Sequence, residues 1–258
     1  MEKKKFKEID FLKGIAIITM VISHIFYFKY QLNMSSLNFN SWWYILLTIV
    51  AQVIFISCIG INLSLSYSKY QLKNQSGKYY QNQIQRAIII GFFGLLLSYL
   101  TYLTHGYKFI KFGILHFASC AILLLMWTVK YDLFNLFFIL TITLLYFIKD
   151  HLINFSLQTM PKFLIFILGI FNPQYYSIDY FPIIPWTILV AFGILVGNIL
   201  YPKFNRKFQL NQKIDQFIHN SQNKFSSTIN FLGQHSFLIY LIHIPVLYLI
   251  LQIIKKSF

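Results

Sequence analysis

The stretch Asp10-Phe11-Leu12-Lys13-Gly14-Ile15-Ala16-Ile17-Ile18-Thr19-Met20-Val21-Ile22-Ser23-His24 decides how the rest of the chain is read. It is apolar nearly throughout, yet it carries a lysine and a histidine eleven residues apart. At ~100° per residue, eleven steps make about three turns, so Lys13 and His24 share one helix face, roughly 16 Å apart along the axis. A bilayer disfavours a cation and a titratable ring on one face of such a helix, and groups of this kind mark functional sites by default.

The composition points the same way. Of 258 residues, 57% are hydrophobic and only 11% are charged, and the mean hydropathy is +0.59. That is too apolar for an ordinary soluble domain and too long for a simple anchor, so the chain reads as a polytopic membrane protein. Its 22 Lys and Arg against 7 Asp and Glu give a net charge of +15. In a soluble protein this excess would suggest nucleic acid. Here the basic residues cluster in short connections between apolar runs, so topology and anionic membrane lipid explain them, and no nucleic-acid partner is expected. Cys58 and Cys120 both lie within apolar segments without CxxC spacing, which indicates neither a disulfide framework nor a thiolate metal site.

Apolar runs near 11–30, 42–67, 87–104, 109–129, 132–149, 183–201 and 229–254 are the candidate spans. The predicted fold is an all-α transmembrane bundle of seven spanning helices in one domain, 1–258. Short alternating segments, as a membrane barrel would need, do not occur. The run 161–171, closed by Asn172-Pro173, is too short to cross a core of about 30 Å and is predicted as a re-entrant or interfacial helix. The basic start Met1-Glu2-Lys3-Lys4-Lys5-Phe6-Lys7 resembles a secretory n-region, but the run after it is long and lacks a small-residue cleavage site, so it reads as a retained first helix.

Placing the amino terminus in the cytoplasm puts fifteen Lys and Arg on that side and seven on the other. Both basic connections, 68–86 and 202–225, then fall inside, as the positive-inside bias requires, and the carboxy terminus falls outside. A cell-membrane location follows. The sequence leaves the oligomeric state open, with a homodimer as one option.

With that orientation His24, His116 and His243 all fall in the outer halves of their helices, and Asp179 stands on the outer side before the sixth span. Each also has a purely structural role open to it. A single histidine can tie two helices together for ~1 kcal/mol, Asp179 can cap the sixth helix or hold a loop, and Lys13 can snorkel to the interface. Four titratable groups at one depth are harder to explain that way than any one of them. His235 and Ser236 read as structural, while His105, His151 and His219 are expected in solvated connections. No metal or haem site is expected: His235 and His243 would project ~80° apart on a helix, and no His-x3-His pair occurs.

Several stretches together resemble the prokaryotic relatives of the heparan-α-glucosaminide N-acetyltransferase catalytic domain, and more distantly the membrane acyltransferase-3 superfamily. They are Glu8 to Ala16 with His24, Gly60-Ile61-Asn62-Leu63-Ser64, Phe112-Gly113-Ile114-Leu115-His116-Phe117, Asp179-Tyr180-Phe181-Pro182, and Leu232-Gly233-Gln234-His235 on to His243. They run from the first helix to the last.

The resemblance implies transfer of an acyl group, typically acetyl, from cytoplasmic acetyl-CoA to an extracytoplasmic acceptor, a sugar or amino sugar. It implies catalytic roles for His24, His116, Asp179 and His243, and binding of coenzyme A near Lys13, Asp10 and Arg86. Where the family commonly has arginine in the first helix this chain has Lys13, a point charge without the bidentate geometry of a guanidinium. Two other classes are weighed: a proton-coupled transporter with a histidine relay, which lacks the expected inverted repeats, and a non-catalytic scaffold, which leaves the polar cluster without a use.

Overall fold

The computed structural model of the chain describes residues 6–170, 177–220 and 223–256, apart from the side chains at 105 and 153–159. Lys3, Lys4, Lys5, the Asn172-Pro173 stop and the His105 side chain lie outside the described residues. The described residues form ten α-helices and no strand beyond one isolated bridge. In chain order these are α1 (Lys7–Gln31), α2 (Trp42–Gln71), α3 (Ser76–His105), α4 (Ile114–Leu125), α5 (Asp132–Thr159), α6 (Lys162–Leu168), α7 (Ile183–Leu200), α8 (Gln212–His219), α9 (Lys224–Gln234) and α10 (Ser236–Lys256).

Six of them, α1, α2, α3, α5, α7 and α10, are long and apolar enough to cross a membrane. The α5 surface shows why water is not the solvent: Leu133, Phe137, Leu140, Leu144 and Phe147 recur at helical spacing and are 62% to 74% exposed. A stripe of that kind on a soluble helix would be buried. The seven-residue α6 matches the short segment expected between the fifth and sixth spans.

Three local expectations change. The connection 68–86 is almost entirely helical, because α2 continues to Gln71 and α3 begins at Ser76. His151 lies within α5 and His219 ends α8, so neither is in a connection. Polar and basic residues at these ends lowered the hydropathy without stopping the helix; Lys, Gln and Arg are good helix formers. The span expected at 229–254 is two helices, α9 and α10, that meet at His235.

The fourth expected span also differs. Only Ile114–Leu125 is helical, about 18 Å long, and too short by itself to cross the bilayer core. The stretch before it makes up the length, because the chain turns back along α3 through Phe109–Gly113. Thr101 receives the Ile110 N–H (3.1 Å) and Ser98 donates to the Ile110 carbonyl (2.5 Å), while Tyr79 at the other end donates to the Met126 carbonyl (3.3 Å). From Tyr79 to Thr101 is about 33 Å of helix, so the irregular stretch and α4 together run past a membrane's thickness.

The chain divides into two compact units, Met1–Phe55 with Gln209–Phe258, and Ile56–Phe208. In the first, Ile17, Met20 and Ala51 form a small core with Phe55, Leu232, Ile239 and Tyr240 packed on it. Here α1 and α9 touch backbone to backbone: a Cβ on Gly14 would lie 2.1 Å from the Ile229 carbonyl oxygen, and one on Gly233 would lie 1.7 Å from that of Asp10. His219 closes the foot of this unit, with Nε2 3.7 Å from the buried Glu8 carboxylate and Nδ1 3.5 Å from that of Asp215. The second unit has the larger core, centred on Ile56, Leu63, Tyr79, Phe117, Ile122, Val190 and Ile194.

Candidate active site

Within the first unit, His24 of α1 and His243 of α10 stand ring to ring, centroids 4.9 Å apart and inclined at 75°. Helix geometry fixes both rings. His24 Nδ1 is 2.8 Å from the Met20 carbonyl oxygen, and His243 Nδ1 is 2.6 Å from that of Tyr240. A carbonyl can only accept, so in each neutral ring Nδ1 carries the proton and Nε2 is left with a bare lone pair. His243 is 5% exposed, and among the described residues its buried Nε2 has no hydrogen-bond partner. Phe28 lies beside His24 and Tyr248 beside Phe28, giving the pair an aromatic margin. Two basic nitrogens held in an apolar setting are the arrangement that nucleophilic or general-base chemistry requires.

Three turns below His24, Lys13 Nζ is 3.7 Å from Asp10 Oδ1, with side chains 18% and 17% exposed. The cation expected to meet coenzyme A is thus already neighboured by a carboxylate. Asp10 also lies where α9 crosses, since Gly233 packs on its carbonyl. Arg86 belongs to the second unit, in α3, together with Tyr79.

His116 and Asp179 come together in the second unit, and their contacts are of another kind. His116 Nδ1 accepts the Gly113 N–H (3.3 Å). Its Nε2 lies 3.2 Å from Ser98 Oγ, whose own proton goes to the Ile110 carbonyl, so Nε2–H is the donor. Both ring nitrogens are engaged. Asp179 Oδ2 accepts the Ile114 N–H (3.1 Å), which caps α4 from a position 65 residues further along. The sixth long helix, α7, has no side-chain cap. Around this contact Ser177 receives the Lys111 N–H and donates to the Asp179 carbonyl, and the Phe181 N–H reaches the Phe112 carbonyl.

These bonds engage the Ile110, Lys111, Gly113 and Ile114 N–H groups and the Ile110 and Phe112 carbonyls of the irregular stretch. Chain without regular structure at membrane depth is tolerated only when its polar groups are satisfied within the protein. His116, Asp179, Ser98, Thr101 and Ser177 do this. The Tyr180 hydroxyl donates to the Phe166 carbonyl.

Sequence reasoning did not single out Ser98, Ser177 or the carbonyls of Met20 and Tyr240. Ser177 stands two residues before Asp179 and could have been read as part of its turn. Ser98 gives no signal, because serine in a membrane helix usually satisfies itself on its own backbone.

A bundle of long apolar helices defines a polytopic helical membrane protein, and within it the half-buried His24 stands against the buried His243. The chain belongs to the family described as heparan-alpha-glucosaminide N-acetyltransferase, catalytic, whose model matches residues 5–245, from before α1 to just past His243. That places it among membrane acetyltransferases. No curated protein and no solved structure matches the chain.

Proposed function

We propose that the protein transfers an acetyl group from cytoplasmic acetyl-CoA to an amine or hydroxyl of an extracytoplasmic sugar or amino sugar, with His24 as the acyl carrier. The observation that carries this is the His24 ring, its Nδ1 proton given to the Met20 carbonyl and its Nε2 left basic beside His243. Nε2 attacks the thioester carbon, the C–S bond breaks, and coenzyme A leaves as its thiolate. Family membership favours transfer over the proton-coupled permease.

The amino terminus is cytoplasmic and the carboxy terminus extracytoplasmic in the cell membrane, with Phe109–Leu125 counted as the fourth of seven passes. Lys13, three turns from His24 on the same helix, then meets the phosphates of the donor. His116 and Asp179, in the second unit, are positioning residues for the backbone that leads into α4.

The test supplies purified protein with isotopically labelled acetyl-CoA, with and without glucosamine, and follows acetylated sugar and acetyl-histidine by mass spectrometry. His24→Asn keeps a donor for the Met20 carbonyl but removes the basic nitrogen, so turnover should fall ~10²–10⁴-fold with insertion intact. Near-normal turnover in that variant, or product formed by wild-type protein that never carries the label on His24, would overturn the assignment.

A further inference from the structure

Loading His24 with an acyl group creates a need that His24 itself cannot meet. Its Nε2 is then bonded to the acyl carbon and its Nδ1–H still faces the Met20 carbonyl, so neither nitrogen can take a proton. The acceptor amine, once it attacks, has a proton to lose. Within the first unit the neighbouring ring is His243, 4.9 Å away between centroids, its Nδ1 held by the Tyr240 carbonyl. Its buried Nε2 has no partner among the described residues. A buried nitrogen ordinarily finds a hydrogen bond, which makes the unshared lone pair of His243 Nε2 the acceptor that stands open beside His24.

We propose that His243 is the second catalytic residue of this site, the base that takes the acceptor's proton while His24 carries the acyl group. The inference rests on the carrier role proposed for His24. In loading, His24 Nε2 forms the N–C bond, the C–S electron pair leaves on the thiolate, and the positive charge resides on the acyl-imidazolium. In discharge, the acceptor nitrogen forms its bond to the acetyl carbon, the electron pair of the breaking N–C bond returns to His24 Nε2, and the acceptor's proton moves to His243 Nε2. His243 then releases that proton, which balances the thiolate as free coenzyme A. The pair therefore never holds more than one positive charge, which passes from His24 on loading to His243 on discharge. Two adjacent cations, which their mutual repulsion would oppose, never arise.

His243→Asn tests this, because its amide can still donate to the Tyr240 carbonyl while no basic nitrogen remains. His243→Gln, with the amide one methylene further out, is the second variant should the first fail to insert. With labelled acetyl-CoA alone, the variant should load His24 as the wild type does. On addition of glucosamine, discharge should slow by ~10²–10⁴-fold, so that acetyl-His24 accumulates during turnover. Discharge at the wild-type rate overturns the proposal, and so does loss of loading in a variant that remains folded, which would make His243 a support for the His24 ring. Failure of the carrier reading shows elsewhere, as product without label on His24 in the wild-type protein, and removes the proposal with it.

Discussion

Alanine in place of Gly233 tests the contact that joins the first and last parts of the chain. Its Cβ would lie 1.7 Å from the Asp10 carbonyl oxygen and 2.9 Å from the Gly14 nitrogen. Ordinary carbon–oxygen contact begins near 3.3 Å, so α1 and α9 must separate by about 1.6 Å at this point. The obstructing atoms are backbone and cannot rotate away, which puts the cost at the upper end of the usual overpacking range, about 3 kcal/mol. Better helix propensity returns at most ~1 kcal/mol. A net loss of about 2 kcal/mol corresponds to a fall of ~4–8 °C in melting temperature for a chain of this size. The assay is thermal unfolding of the detergent-solubilised protein, with Gly77→Ala as the control. Gly77 has nothing within 4 Å of its would-be Cβ, so that variant should melt at or slightly above the wild type. A Gly233→Ala protein that melts like the wild type would refute the close crossing of α1 and α9 and, with it, the placement of Asp10 and Lys13.

Lys13→Ala should raise the KM for acetyl-CoA with little change in kcat, measured as initial rates over a donor series. The double variant Lys13→Ala with Asp10→Asn should leave KM raised; recovery of the wild-type KM would reduce Lys13 to neutralising Asp10. Gly113→Ala would put a Cβ 2.4 Å from Asp179 Oδ2, breaking the α4 cap at a cost of ~1–2 kcal/mol, and a melting temperature equal to wild type would count against that cap.

Hydropathy found the long helices because a membrane span is a local sum over some twenty residues. It misplaced ends where good helix formers are polar, as at Gln71 and Ser76, and it saw a uniform fourth span in 109–129 because Phe109, Ile110 and Phe112 are apolar whether or not their backbone is helical. The glycines at 14 and 233 were visible as parts of family-like stretches. That each meets the other helix's backbone was not, since a close approach depends on a second segment more than two hundred residues away.

The four candidate residues divide along the same line. Composition and helical spacing were enough to mark His24, His116, Asp179 and His243 as polar groups that an apolar bundle would not keep without a use. Which use each has depends on hydrogen bonds to backbone atoms, and these are set by where helices break and cross. Around Ile110–Ile114 the broken backbone exposes amides and a carbonyl that must be satisfied, and His116 and Asp179 are spent there. In α1, and in α10 two residues before Pro245, local carbonyls hold one nitrogen of His24 and of His243, and the other is left basic. Sequence alone thus determined that this is a membrane helical bundle with buried titratable groups. Tertiary structure decided that two of those groups hold the fold and two face each other, because a side chain's chemistry is fixed by the partners that folding gives it.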